Sequence, residues 1–280
     1  VTHSGDGFFL WAGQYTMDTG EGGCNDNLIY NNDFSYAPTN GIEVTFSRNT
    51  IVQNSINGCD HGIWGGYSYN TLIAENKFVS NRIAIAIEHG QANSIIANGF
   101  NNNNKTSIKL WSREKQPEDW IYAQKRNTKS MNYTISANSF RNEKIVYDIM
   151  GSDNIKMADN KKYSCDQVYK LGERNSRIDT IAENASVQSS FDKSDIEKRI
   201  SFMYNKTIPL NAFAYGRNQI RYFMYDTLNP SLGPASPTDF YLGKVTQQEY
   251  NLNADFSYET DIGLYKPLFI AAGLEFRRET

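Results

Sequence analysis

The sequence predicts an all-β solenoid, because three columns of residues recur together at one interval. Four asparagines lie 22 residues apart, and the spacing resumes later in the chain: Asn32, Asn54, Asn76 and Asn98, then Asn138, Asn160 and Asn184. A bulky apolar residue stands three positions before each of them: Ile29, Ile51, Ile73, Ile95, Ile135, Met157 and Ile181. Two positions after the first five stand Phe34, Ile56, Phe78, Phe100 and Phe140. A period of about 20–50 residues is typical of stacked repeats.

The residue types within each repeat indicate strands. Short apolar runs such as 41–46 and 50–52 are separated by Asn, Gly and Ser, which favours strands and turns over helices. The repeat is also shorter than the ~33–34 residues of the TPR and ankyrin helical repeats. We therefore predict a right-handed, single-stranded parallel β-helix over residues 1–190, with about 22 residues per coil. The Ile and Phe columns face inward, and the Asn column lies at a bend, where its amides bond along the stack.

The repeat pattern N-x-(I/L)-x-x-N-x-F resembles a known class. It is similar to the right-handed β-helix repeats of the pectate-lyase-like class, including NosD-like carbohydrate-binding and sugar-hydrolase repeats, over about residues 5–186. The resemblance implies the fold and a role with carbohydrate. Because the class contains polysaccharide lyases, hydrolases, epimerases and non-enzymatic binders, the resemblance leaves the activity open.

The strand that opens each coil predicts a ligand-binding surface. Residues on a strand alternate between its two faces, so the apolar second and fourth positions point inward and the third and fifth point outward. The outward positions are Phe9, Trp11, Glu43, Thr45, Trp64, Gly66, Ala86, Glu88, Lys109 and Trp111, with Phe46, Tyr67 and His89 at their edge. Aromatic rings stack on the apolar faces of sugars, and carboxylates accept hydrogen bonds from hydroxyls.

We predict that five of these residues bind a polysaccharide or oligosaccharide: Trp11, Trp64, Trp111, Tyr67 and Lys109. The alternative is that the inserted segment 113–131 covers the face and buries its tryptophans. Both arrangements are compatible, because loops beside a β-helix groove often shape it.

Acidic and histidine residues near the same face predict possible acid–base chemistry. Glu43 and Glu88 lie two coils apart, so their carboxyl groups can approach the ~6.5–9.5 Å of inverting glycosidases. Asp60, His61 and His89 complete a candidate catalytic patch. The alternative is that these groups bind hydroxyls without catalysis, and whether the chain is an enzyme stays open.

A polysaccharide lyase is the second enzymatic hypothesis, with Lys109, Arg82 or Arg113 as the base. The sequence has no aspartate cluster resembling a pectate-lyase calcium site, and we predict no metal and no cofactor. The three cysteines have neither metal-ligand spacing nor a disulfide pattern. A net charge of −3, without a basic stripe, argues against nucleic acid as a partner.

A second pattern follows the repeats. The period stops after Asn184, which predicts a linker over 191–198 and a second segment over 199–280. Residues 251–258 and 268–277 alternate polar and apolar, as do antiparallel strands in a half-buried sheet or in an outer-membrane barrel. The alternation alone favours the half-buried sheet.

Specific stretches of the second segment resemble barrel strands of TonB-dependent outer-membrane receptors. They are 250–279, with Asp-Ile-Gly at 261–263 and Lys-Pro-Leu at 266–268, together with 210–217 and 240–243. This resemblance implies association with the outer membrane. Only four or five strands fit the segment, whereas a barrel needs at least about eight, so we expect it to be incomplete. A fragment, a joined reading frame and a genuine fusion all explain the two patterns.

The chain begins at Val1 without a methionine or a signal peptide, so we expect a missing N-terminus. No run of about 18 apolar residues predicts a membrane helix. We predict an exported bacterial protein, periplasmic, extracellular or associated with the outer membrane, that binds or processes polysaccharide. The alternatives are a non-catalytic structural or glycan-binding β-helix, and a piece of a TonB-dependent receptor.

Overall fold

The computed structural model describes residues 3–179, 190–205, 212–224, 240–260 and 268–279. Contacts divide the chain into two units, Val1–Lys193 and Ser194–Thr280.

The first unit is a parallel β-solenoid built from three sheets. The first sheet contains β1 (Phe8–Leu10), β3 (Asn40–Val44), β6 (His61–Trp64), β9 (Ile83–Glu88), β12 (Thr106–Trp111), β15 (Ile145–Met150) and β18 (Gln167–Leu171). The second contains β2 (Asn27–Tyr30), β4 (Asn49–Val52), β7 (Leu72–Ala74), β10 (Ser94–Ile96), β13 (Ser130–Ser136), β16 (Ser152–Ala158) and β19 (Ser176–Asp179). The third contains β5 (Ser55–Asn57), β8 (Lys77–Val79), β11 (Gly99–Asn101), β14 (Ser139–Arg141) and β17 (Lys161–Tyr163). The five coils from β3 to β17 each contribute one strand to each sheet in turn, and the first and last coils contribute strands to the first two sheets only.

The strand register confirms the predicted apolar columns. In the second sheet each isoleucine of the column lies opposite the next, from Ile29 through to Met157, and all are buried. In the third sheet Phe78, Phe100 and Phe140 stack with ring centroids 5.0 and 4.7 Å apart. These side chains fill the interior of the solenoid. Ile181 and Asn184 lie outside the described residues.

The asparagine column forms the predicted ladder at a bend between the second and third sheets. The Oδ1 atom of Asn76 accepts hydrogen bonds from the backbone N–H and the Nδ2 of Asn54, at 2.9 and 3.0 Å. Its Nδ2 donates to the carbonyl of Ile51 and to Oδ1 of Asn98, at 2.9 and 3.1 Å. Each amide thus satisfies the backbone of the preceding coil, which gives the column a structural role.

A second buried ladder was not predicted. Asn81 and Asn103 repeat the same contacts, and Glu143 takes the next position, where its Oε1 accepts from Nδ2 of Asn103 at 3.2 Å. Ser107 donates to the other carboxyl oxygen at 2.7 Å. Burial raises the pKa of Glu143. A search for recurring asparagine misses this column, because Glu143 has a carboxyl group in place of the amide and an insertion precedes it.

The described residues also form three helices: α1 (Gly13–Thr19), α2 (Ile121–Gln124) and α3 (Ser194–Asn205). None was predicted, and α3 differs from the expected linker over 191–198 because it begins inside it and extends beyond it. Asp195 and Glu197 in its first turn stabilise the helix N-terminus. Strand patterns and charged residues alone did not indicate this helix.

The second unit contains an antiparallel sheet in the order β20 (Ala212–Met224), β21 (Phe240–Thr260) and β22 (Leu268–Glu279). The polar–apolar alternation of 251–258 and 268–277 predicted antiparallel strands, and both stretches lie in this sheet. Residues 210–211 and 261–267, which belong to the resemblance to receptor strands, lie outside the described residues. No helix in the described part of the chain is both long and apolar enough to span a membrane.

Candidate functional site

The outward residues of the first sheet form one continuous row across successive coils. Phe9 lies opposite Glu43, Glu43 opposite Trp64, Trp64 opposite Ala86, and Ala86 opposite Lys109. This is the register predicted from the sequence. We name the outward residues Phe9, Trp11, Glu43, Trp64, Lys109 and Trp111 the strand face.

Aromatic rings dominate the strand face. Phe9 and Trp11 are 54% and 43% exposed, and Trp64 and Trp111 are half-buried. The rings of Trp64 and Trp111 meet edge to face, with centroids 5.6 Å apart and planes at 62°. Ala86, the outward residue between their coils, is buried. A small residue at that position leaves room for the two rings to form a corner on the surface.

Glu88 holds one ring of this corner in place. Its Oε1 accepts hydrogen bonds from Nε1 of Trp111 at 2.9 Å and from Nε of Arg113 at 2.6 Å. The carboxylate is buried and is neutralised by the guanidinium. The structure therefore assigns Glu88 contacts that orient Trp111.

Glu43 has a different environment. Nδ2 of Asn40 donates to its Oε2 at 2.8 Å, while the backbone N–H of Asn40 donates to Oδ1 of Asp6 at 2.9 Å. Burial, followed by the nearby charge of Asp6, raises the pKa of Glu43. No basic side chain pairs with Glu43 among the residues the structure describes. Asp6 was missed because it precedes the first strand and lies outside the repeat columns.

Asp60, His61 and Arg82 form a closed cluster beside Trp64. Nη2 of Arg82 donates to Oδ2 of Asp60 at 2.8 Å and to Nε2 of His61 at 3.1 Å, and Nδ1 of His61 lies 3.1 Å from Oδ2 of Asp60. Since arginine only donates, the imidazole carries its hydrogen on Nδ1, facing the carboxylate. The hydrogen bond from Arg82 lowers the pKa of Asp60, and burial lowers that of His61.

The edge of the sheet is covered by residues 113–129, which we name the cover segment. Phe46, Tyr67 and His89 stack at this edge with successive centroid separations of 4.8 Å. Tyr122 of the cover segment contacts Phe46 edge to face at 4.9 Å. The Tyr67 hydroxyl donates to Oε1 of Gln116, and its ring is buried. Tyr67 therefore does not belong to the open surface.

His89 fastens the cover segment. Its Nε2 accepts hydrogen bonds from the backbone N–H of Arg113 at 3.1 Å and from Nε2 of Gln116 at 2.7 Å. Its Nδ1 lies 2.6 Å from the carbonyl oxygen of Thr128, so Nδ1 carries the hydrogen. Burial lowers the pKa of His89 and favours this neutral form. The segment covers the edge but leaves the tryptophans of the strand face partly exposed.

Comparison with known families agrees with this architecture. Residues 7–118 match the family described as "Right handed beta helix region", a span that contains β1 to β12. The first unit therefore has the right-handed β-helix fold that this family model describes. Neither a curated protein nor a solved structure matches it.

The β-helix protein does not gather the predicted acid–base residues into a single hydrogen-bonded patch. Glu43 and the Asp60–His61 pair have separate sets of partners, and Glu88 and His89 share only Arg113. The described residues contain no group of three or more histidine, cysteine or acidic side chains arranged to hold a metal ion. The six residues of the strand face remain the open part of the predicted site.

The β-helix protein also has a pocket of about 450 Å³ between the cover segment and residues 67–70 and 89–92. Two of its cationic residues serve the fold. Lys125 donates to the carbonyl oxygen of Thr19 at 2.8 Å, and Arg126 donates to that of Gly20, at the C-terminal end of α1. Positive charges at the C-terminal end of a helix interact favourably with the helix dipole.

Proposed function

We propose that this β-helix protein binds a polysaccharide on its strand face. The observation that carries the proposal is the row of aromatic rings that begins at the exposed Phe9 and Trp11 and ends at the half-buried Trp64–Trp111 corner. Sugar rings stack on such side chains through their apolar faces, while neighbouring carboxylates accept hydrogen bonds from hydroxyls. The rings lie on a rigid sheet, so little conformational entropy is lost when a ligand binds.

The exposure of these rings supports a binding role over a purely structural one. Parallel sheets are ordinarily covered on both sides, and exposed apolar surface commonly marks an interaction site. The cover segment buries Phe46, Tyr67 and His89 at the edge, yet Phe9 and Trp11 stay exposed. A polysaccharide would therefore lie along the open row rather than beneath the cover segment.

Replacing Trp64 with alanine is expected to weaken glycan binding about 10- to 100-fold, because it removes one wall of the aromatic corner. Isothermal titration calorimetry with glycans selected on an array measures the effect. Tyr163→Ala is the matched control, since Tyr163 is an exposed aromatic residue on the third sheet. Equal affinities of the Trp64→Ala and Tyr163→Ala variants would remove the support for the strand face.

Hydrolysis of the bound glycan is the second candidate function, and the environment of Glu43 favours it. A carboxyl group with a raised pKa and no basic partner among the described residues can retain a proton and act as a general acid. Asp6 is the second carboxyl group, bonded to the same asparagine. Phe9 and Trp64 lie opposite Glu43 on either side, where a glycan would pass.

We expect Glu43→Gln to reduce the release of reducing ends by about 10²–10⁴-fold, because glutamine keeps the shape and loses the proton. Product release from the array-selected glycan, with binding measured in parallel, separates catalysis from affinity. Asp166→Asn is the control, because Asp166 is a carboxylate that pairs with Lys144 and directly precedes β18, which β6, β9, β12 and β15 separate from the strand of Glu43. If the unsubstituted chain binds the glycan without releasing reducing ends, the role is binding alone.

A further inference from the structure

We infer that the polysaccharide held by the strand face is uncharged. This inference rests on the proposed function and names the class of glycan: a neutral, extended, β-linked chain rather than a polyuronate. Among the described residues, three cations beside the strand face are paired with carboxylates, and Glu43 and Asp6 lie at one end without a basic partner.

Three basic side chains around the strand face are already paired with carboxylates, whereas Lys105, just before β12, is in no ion pair of the described residues. Arg113 is bonded to Glu88 at 2.6 Å, and Arg82 is bonded to Asp60. Lys170 lies 3.2 Å from Asp148, the residue opposite Lys109 in the next coil. An anionic chain would have to break these pairs and leave carboxylates without a partner, which costs free energy wherever the site is desolvated.

Lys109 is the one basic residue of the strand face itself, and it too has neighbours. Its Nζ lies 4.6 Å from the centre of the Trp111 ring, in a cation–π contact. Burial lowers its pKa, the positive charges of Lys105, Lys170 and Arg82 add to that effect, and the nearby charge of Asp148 opposes it. A single ammonium group in this position can bond a hydroxyl, but it cannot match a charge on every sugar of a polyuronate.

At the other end of the strand face, Glu43 and Asp6 lie close enough for the charge of Asp6 to raise the pKa of Glu43. Any anionic chain that runs along the row from Phe9 to Lys109 passes Glu43. Repulsion by these carboxyl groups acts on every anionic chain that follows the row. The charge distribution therefore disfavours polyanions at this end of the proposed binding surface.

The spacing of the rings fits an extended neutral chain in which every second sugar has the same orientation. Phe9 and Trp64 lie two coils apart in the same column, a separation of about 9.5 Å. This is close to the repeat of one disaccharide in an extended β-1,4-linked chain, so alternate sugars would meet an aromatic ring. Glu43, between them, is placed to accept hydroxyl hydrogen bonds.

Affinity electrophoresis of the full chain compares neutral glycans (xylan, galactomannan and mixed-linkage β-glucan) with anionic ones (polygalacturonate and alginate). We expect retardation by at least one neutral glycan, with little dependence on salt, and at least 10-fold weaker binding of both anionic polymers. At low ionic strength, Glu43→Gln is expected to reduce the difference in affinity between neutral and anionic glycans. The substitution removes a repulsion of anionic chains that salt otherwise screens.

Each contrary result has a separate meaning. Polyuronate binding as tight as or tighter than neutral-glycan binding would overturn the inferred class while leaving polysaccharide binding in place. If no glycan of either class retards the chain, the proposed function and this inference both fail. If Glu43→Gln leaves the ratio of the two affinities unchanged at low salt, the electrostatic argument is wrong.

Discussion

Replacing Asn76 with alanine is expected to lower the free energy of unfolding by about 3–5 kcal/mol. The buried amide satisfies the backbone N–H of Asn54 and the carbonyl of Ile51, and it bonds the amides of Asn54 and Asn98. Alanine removes all four hydrogen bonds at once. Each buried polar group left without a partner costs about 1–3 kcal/mol.

Urea denaturation followed by circular dichroism and tryptophan fluorescence measures this loss. Asn32→Ala is the matched control, because Asn32 belongs to the same column but is exposed at its first coil. We expect a loss of less than about 1 kcal/mol there, since water replaces the missing partners. Similar losses at Asn32 and Asn76 would show that burial of the ladder does not determine its contribution.

The pairing register of the strands in the first unit was predictable, because it follows from the constant length of the coils. Every coil of the regular part has the same length, so apolar residues such as Ile51 and Ile73 meet when the chain closes each turn. A shift of one residue would turn an entire column outward and expose it. Burial thus specifies the register of the strand face as well, including the pairing of Glu43 with Trp64.

The cover segment was harder to predict because its position depends on contacts between distant parts of the chain. Residues 113–131 were expected as a candidate covering loop, but nothing local indicated that it fastens to His89 and stacks on Phe46. Its contacts explain why Tyr67, aromatic and adjacent to the predicted surface, is buried.

The sequence spacing of several ion pairs matches the length of one coil, and we did not use this spacing to predict them. Asp60 and Arg82 lie 22 residues apart, one full coil, as do Asp26 with Arg48 and Lys144 with Asp166. Applying the coil spacing to charged residues would have predicted the Asp60–Arg82 pair. Arg113 lies 25 residues from Glu88, so the same rule would not have found that contact.

The carboxyl groups near the strand face have different roles, because their hydrogen-bond and ion-pair partners differ. Glu88 and Asp60 are each paired with a guanidinium group, and they hold Trp111 and His61 in place. Glu43 has an amide and a neighbouring carboxylate instead, and burial together with that carboxylate raises its pKa. Glu43, the carboxyl group of the strand face, is therefore the one we expect to bond or protonate a bound sugar.

The strand face rests on coils whose interior is filled by the aromatic stack of the third sheet. Phe100→Ala is therefore also expected to lower the free energy of unfolding, by about 3–5 kcal/mol. Phe100 is buried between Phe78 and Phe140, with ring centroids 5.0 and 4.7 Å away. Alanine removes both stacking contacts and leaves a cavity. In a solenoid each coil contacts mainly its neighbours, so the loss should be concentrated in the coils beside Phe100.

Hydrogen exchange and urea denaturation together measure the size and the extent of this loss. Phe100→Leu is the conservative control, with an expected loss of less than about 2 kcal/mol, because leucine fills most of the cavity. We expect faster exchange in β8, β11 and β14 than in β2 and β4 for the alanine variant. Uniform acceleration along the first unit would instead show that its coils unfold as one cooperative block, and glycan binding would then be lost together with the fold.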